Sequence, residues 1–153
     1  MMAFRNGEPC AANRDAAREF VDSIEHHLVP GFNAYQLTLA DGATVEMYAA
    51  GLHNDPEPFH GAMIALRRFS DSICDFIYNF CVASSCIAIP TMDPGCVLVP
   101  DENMIAGFPD GFTDDFLVVL VNSGADVAIA LDGGFDAWTA FRDQIMRDAR
   151  GDA

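Results

Sequence analysis

The chain has 153 residues, 23 acidic and 8 basic, for a formal charge of -15. That surplus disfavours nucleic-acid backbones and anionic membranes and points to basic or neutral partners. Every basic residue is arginine, so lysine-nucleophile and Schiff-base chemistry are excluded, as is a phosphate loop built on Gly-Lys-Ser/Thr.

Residues 1–12 hold no apolar run behind a basic stretch, so they read as a flexible N-terminus and not as an export signal. Five cysteines, an odd number, then favour a reducing cytoplasm with free thiols over a disulfide framework. From Arg14 to Leu28, Ala17, Phe20, Val21, Ile24 and Leu28 recur at helical spacing, with Asn13 as the cap and Pro30-Gly31 as the stop. The segment YQLTLADGATVEMYA alternates apolar and polar residues around Asp41-Gly42, which predicts a β-hairpin. Asp55-Pro56 suits a helix start. Beyond it Phe59, Met63, Leu66, Phe69, Ile73, Phe76, Ile77 and Phe80 advance by three or four, the pattern of one long helix ending at Ala83 to Ser85.

CIAIPTM and CVLVP flank Asp93-Pro94-Gly95 and read as a second hairpin. DENMIAGFPDGFTDD reads as an acidic loop with Phe108 and Phe112 exposed. FLVVLV and VAIAL, separated by Asn122-Ser123-Gly124, make a third hairpin, with a helix as the alternative for the second run. Phe135, Trp138, Phe141, Ile145 and Met146 mark a terminal amphipathic helix, and residues 149–153 a flexible C-terminus. The expectation is one α+β domain over residues 13–148, a mainly antiparallel sheet of about five or six strands with three helices in the order α-β-β-α-β-β-β-β-α. No stretch approaches the length that spans a bilayer. In element order, size and acidity the chain is similar to roadblock, longin and profilin-type domains and to the small acidic chaperones of bacterial type III secretion. No motif carries either likeness, and no family is recognised.

Cys74 and Cys81 are seven residues apart on one helical stripe. Their separation along the axis is about 10 Å, beyond the reach of a disulfide, and both read as core. Cys86 follows the helix end, where a thiol could be reached. A nucleophile there would need a nearby histidine and an electropositive setting. Zinc usually draws on close Cys pairs, and Cys-x2-Cys is absent. HNDPEPFH, with His53, Asp55, Glu57 and His60, is the most metal-like cluster, although its prolines and helix cap account for much of it and His-x3-His spacing is lacking. His26 and His27 would sit at the negative pole of the first helix. Neither Gly-x-Gly-x-x-Gly nor Gly-x-Ser-x-Gly occurs, so no cofactor and no catalytic set is assigned.

What remains is a surface. Asp101, Glu102, Asp110, Asp114 and Asp115, interleaved with Phe108 and Phe112, are the candidate partner-binding residues. The expected function is a non-enzymatic acidic protein-binding domain, of inhibitor, immunity or chaperone type, engaging a basic or amphipathic protein surface. Nucleic acid and membrane are not expected partners, and homodimerisation is left open. The alternative is a small cysteine- or metal-dependent enzyme using Cys86 or the His53/His60 region. Against both stands the plain option that the charge maintains solubility while the phenylalanines cover the core.

Overall fold

In the computed structural model of the chain, which describes residues 1–53, 56–66, 70–91 and 95–131, Asn13 opens the first helix: its side chain accepts from the Ala16 N–H at 3.3 Å. Helix α1 (Arg14–Asp22) buries Ala17 and Val21 and ends at Ser23. The helical spacing had continued to Leu28. Instead Glu25–Val29 is strand β3, because pairing it with the next strand satisfies its backbone and overrides a weak helical preference.

Strands β3, β4 (Ala34–Thr38), β5 (Thr44–Tyr48) and β6 (Met63–Ala65) form a four-stranded antiparallel sheet in that order. The hairpin between β4 and β5 forms around Asp41-Gly42 as expected, with the Ala43 N–H donating to Asp41 at 2.8 Å. Hydrogen bonds from the Ser72 hydroxyl and then from the Ala43 N–H hold the Asp41 carboxyl below its ordinary value. The turn thereby meets the first turn of the next helix. On the inner face Tyr35, Leu37, Val45 and Met47 are buried, following the period of two.

That next helix, α2 (Asp71–Ser84), starts much later than its apolar spacing suggested. Ser70 is its cap, accepting from the Ile73 N–H at 3.4 Å. Gly61 explains the delay: its φ of +142°, a backbone setting that a side chain disfavours, lets it pass against Met1 and pair with Met2. Met63, Ile64 and Ala65 then alternate as a strand. The proposed cap Asp55 and the intervening Phe69 lie outside the described residues. The helix ends where FIYNFCVASSC allows it to: Ser85 turns left-handed at φ 55°, and the Cys86 N–H closes the last turn on the Cys81 carbonyl.

Residues 1–10 carry order that composition does not signal. Strands β1 (Ala3–Arg5) and β2 (Glu8–Cys10) pair as a hairpin. The Met1 amine donates to the Ala62 carbonyl at 2.6 Å, and burial lowers its pKa.

Strand β7 (Cys96–Val99) exchanges two hydrogen bonds with Ala88, so the expected antiparallel pairing of CIAIPTM with CVLVP occurs as a single bridge. Asp93-Pro94 lies outside the described residues. The third hairpin does not form. Strand β8 (Leu117–Leu120) runs parallel to β7, and Gly124–Leu131 is helix α4, the alternative foreseen for that run. The connection between the parallel strands carries a 3-10 helix (Glu102–Gly107) and the short helix α3 (Phe112–Asp115). A parallel pair needs such a crossover.

The architecture is α+β, as composition and periodicity implied: among the described residues there are eight strands, mainly antiparallel with one small parallel pair, and five helices counting the 3-10 segment. Helices α1, α2 and α4 share one core with the inner face of the four-stranded sheet. The terminal helix expected around Trp138 and the tail at 149–153 lie outside the described residues.

Helix α4 packs closely on α2 at Gly124, where an added Cβ would sit 2.6 Å from the Asp75 nitrogen. Gly124→Ala is expected to lower stability by about 1–3 kcal/mol through overpacking. Denaturant unfolding would show it as a lower midpoint, and an unchanged midpoint would refute the tight α2–α4 contact.

Candidate functional site

The acidic segment is not a free loop. Phe108 is buried, against the exposure expected of it, and Phe112 is half-buried. Both join Phe4 from the N-terminal hairpin and Phe116. Ring centroids lie 6.0 Å apart for Phe4–Phe108, 5.4 Å for Phe4–Phe112, and 4.9 Å for Phe108–Phe112 and for Phe112–Phe116. These rings cover Val97 and Val99 of β7 in a second core. The carboxylates face outward: Asp101, Glu102, Asp110, Asp114 and Asp115 are all exposed. Asp101 caps the 3-10 helix, accepting from the Asn103 N–H at 2.9 Å.

The thiols follow burial. Cys74 and Cys81 lie in the core as their spacing predicts. Cys86, expected to be reachable, is 0% exposed, and its thiol donates to the Ser84 carbonyl at 3.8 Å. Burial pushes the Cys81 thiol up to about 12, with Cys86 close by adding to the shift. Burial likewise raises Cys86 and Cys96. A neutral, enclosed thiol is a poor nucleophile.

His53 and His60 take separate partners. The His60 Nδ1 faces the Cys10 carbonyl at 3.4 Å, whereas His53 joins a chain of side chains above the inner sheet face. Its Nε2 lies 2.9 Å from Asp22 Oδ1 and its Nδ1 2.9 Å from the Tyr35 hydroxyl. A carboxylate only accepts, so Nε2 donates to Asp22, and in the neutral imidazole Nδ1 accepts from Tyr35. His26, on β3 and not at a helix end, stacks on His53 with centroids 6.1 Å apart and donates from Nδ1 to the Ile24 carbonyl at 2.9 Å. Its Nε2 stands 3.7 Å from Asp22 Oδ1, outside hydrogen-bond range.

The order Asp-His-Tyr resembles an activation relay, but burial and then the Asp22 charge raise the Tyr35 pKa, which keeps the phenol protonated. The chain acts as a clasp joining the end of α1, β4 and the loop at residue 53. Arg18 strengthens the same junction by donating from Nε to the Leu52 carbonyl at 2.9 Å. Among the described residues no three His, Cys, Asp or Glu side chains are arranged to hold a metal.

The outer face of the four-stranded sheet is the feature that sequence reasoning missed. Register aligns Val29, Ala34, Tyr48 and Met63 directly across the four strands, all on the side away from the core. Met63 is 64% exposed, and Phe32, at the turn between β3 and β4, is 71% exposed beside this row. Val29, Phe32, Ala34 and Tyr48 line a shallow depression of about 280 Å3, with Gln36 and Glu46 as its polar edge. An antiparallel sheet with a solvated face normally carries polar residues there. The signal was present in the alternation itself, since Tyr48 occupies an outward position of the hairpin that was expected.

Comparison with known protein families, with curated proteins and with solved structures finds no match.

Two outcomes check this geometry. Tyr35→Phe leaves the His53 Nδ1 without its donor and should cost about 0.5–1.5 kcal/mol, seen as a lower unfolding midpoint. Thiols that ionise less readily when folded contribute stability that is complete below their unfolded value of 9.0 and is lost as pH rises towards about 12. Unfolding free energy should therefore decline as pH climbs above 9.0, with Tyr35 adding to the loss above its own ordinary value of 10.0, and less steeply in Cys81→Ala. A flat alkaline profile would contradict the burial of these groups.

Proposed function

We propose that the protein is a non-enzymatic acidic protein-binding domain whose outer sheet face docks a basic, amphipathic segment of a partner. The observation that carries this reading is the outward row of Val29, half-buried Ala34, Tyr48 and Met63 with exposed Phe32 beside it. Contiguous exposed apolar side chains rimmed by polar ones mark interaction surfaces. Aromatic anchors such as Phe32 and Tyr48 are the residues that supply affinity when a partner covers them.

Charge selects the partner's chemistry. A second copy would bring another charge of -15 against the first, whereas a basic segment is drawn in. The exposed carboxylates of Asp101, Glu102, Asp110, Asp114 and Asp115 act at longer range, accelerating encounter without forming the apolar contact. Phe108 and Phe112, candidates for that contact by composition, hold the acidic segment in place. An inhibitor, an immunity protein and a secretion chaperone all fit this description. Cys86, the nucleophile named for the enzymatic alternative, is buried with its pKa raised by that burial, and Tyr35 is protonated.

The test uses a partner captured from the source cells, purified and titrated against defined variants. Phe32→Ser with Met63→Ser should weaken binding by about tenfold or more. Neutralising the five acids of segment 101–115 should slow association and flatten its salt dependence while leaving dissociation nearly unchanged. Full-strength binding by the Phe32/Met63 variant would sink the docking face. A partner of acidic surface would overturn the charge argument.

A further inference from the structure

We propose that the cleft beyond the C-terminal ends of β7 and β8 binds an organic cation, a primary ammonium or guanidinium group carried on a short aliphatic chain. The cleft measures about 530 Å3, within the size of small-molecule sites, and shares no residue with the outer sheet face. It lies where ligands collect in parallel sheets, outside the carboxyl ends of neighbouring strands. The proposal stands independently of the docking face.

The lining sorts into two halves. Val82 and Tyr78 of α2 and Leu120 of β8 form walls suited to an alkyl stem. Val82 and Leu120 are each half exposed, so the walls are open to a ligand from solvent. Asp101 and Glu102 stand at the mouth, and none of the described lining residues is basic.

Charge in the cleft has two sources of one sign. Both hydrogen bonds from Asn103 go to Oδ1 of Asp101, at 2.9 and 2.7 Å, which fixes the carboxylate and leaves its Oδ2 outside that cap. Glu102 is exposed beside it. An anion is repelled by both, and a neutral alkyl group leaves two carboxylates unused. A cation with an aliphatic stem matches both halves, as arginine and lysine side chains do when the stem lies on apolar surface and the head stays polar. The shared chemistry can arrive as a free alkylamine or as a basic side chain of a protein.

Calorimetric titration of the whole chain with n-butylammonium, n-butylguanidinium and n-butanol tests the assignment. The two cations should bind saturably at one site and the alcohol should not. Glu102→Gln together with Asp101→Asn, which keeps a capping side chain, should weaken the cations by roughly fivefold. Leu120→Arg, which places a cation inside the cleft, should remove binding. Asp110→Asn with Asp114→Asn, which alters net charge equally outside the cleft, should leave affinity unchanged. Equal binding of butanol, no binding of either cation, or an equal loss in the Asp110/Asp114 variant would overturn the proposal. Acetyl-Gly-Arg-Gly-amide separates the sources: binding comparable to that of n-butylguanidinium supports a site for a partner's side chain, and binding of the free cations alone supports a small-molecule site.

Discussion

Strand β7 has no solvent face: Cys96, Val97, Leu98 and Val99 are all buried, and much of the remaining architecture follows from covering it on both sides. Cys96 and Leu98 turn towards the core shared by α1, α2, α4 and the four-stranded sheet. Val97 and Val99 turn the other way, and among the described residues no helix of comparable length covers them. The crossover to β8 fills that role with its 3-10 helix, α3 and their phenylalanines, aided by Phe4. A strand buried on both faces reads as a continuous apolar run, as CVLV does.

This requirement gives the acidic segment its two characters. Its rings are committed inward and its carboxylates are left outward, so one stretch is both a structural cover and the most acidic part of the described surface. The same crossover places Asp101 and Glu102 at the strand ends. Among the described residues the sheet of β3 to β6 has only its inner face covered, and its apolar outer row is the surface that the core does not use. Between them the Asp22–His53–Tyr35 clasp ties α1 to β4 and keeps that sheet seated.

What the sequence made legible was local. The Asn13 cap, the Asp41-Gly42 hairpin and the helix end at Ser85 each depend on a few adjacent residues, and each formed. The core placement of Cys74 and Cys81 followed from spacing along one stripe. Failures arose where distant contacts decided the matter. His26 and Leu28 fitted a helix until pairing with β4 claimed them. Phe59 to Leu66 kept helical spacing, yet Gly61 opened the backbone to Met2. FLVVLV gave no indication that its neighbour would be parallel, because periodicity reports burial and not strand direction. The candidate site was legible in its charges alone. Phe108 looked exposed because its cover, Phe4, comes from a stretch that composition marks as a tail.

That last contact has a kinetic side. Phe4 and Phe112 lie near opposite ends of the described chain, so the second core closes only when the first few residues meet a segment made long after them. Contacts of such separation are won late, after the loop entropy between them has been surrendered. On the ribosome the N-terminal hairpin must wait with its phenylalanine uncovered, and β7 must wait with one apolar side bare. Docking of the chain's beginning onto its acidic crossover therefore carries a large loop-closure cost, and a negative charge of this size opposes association between chains.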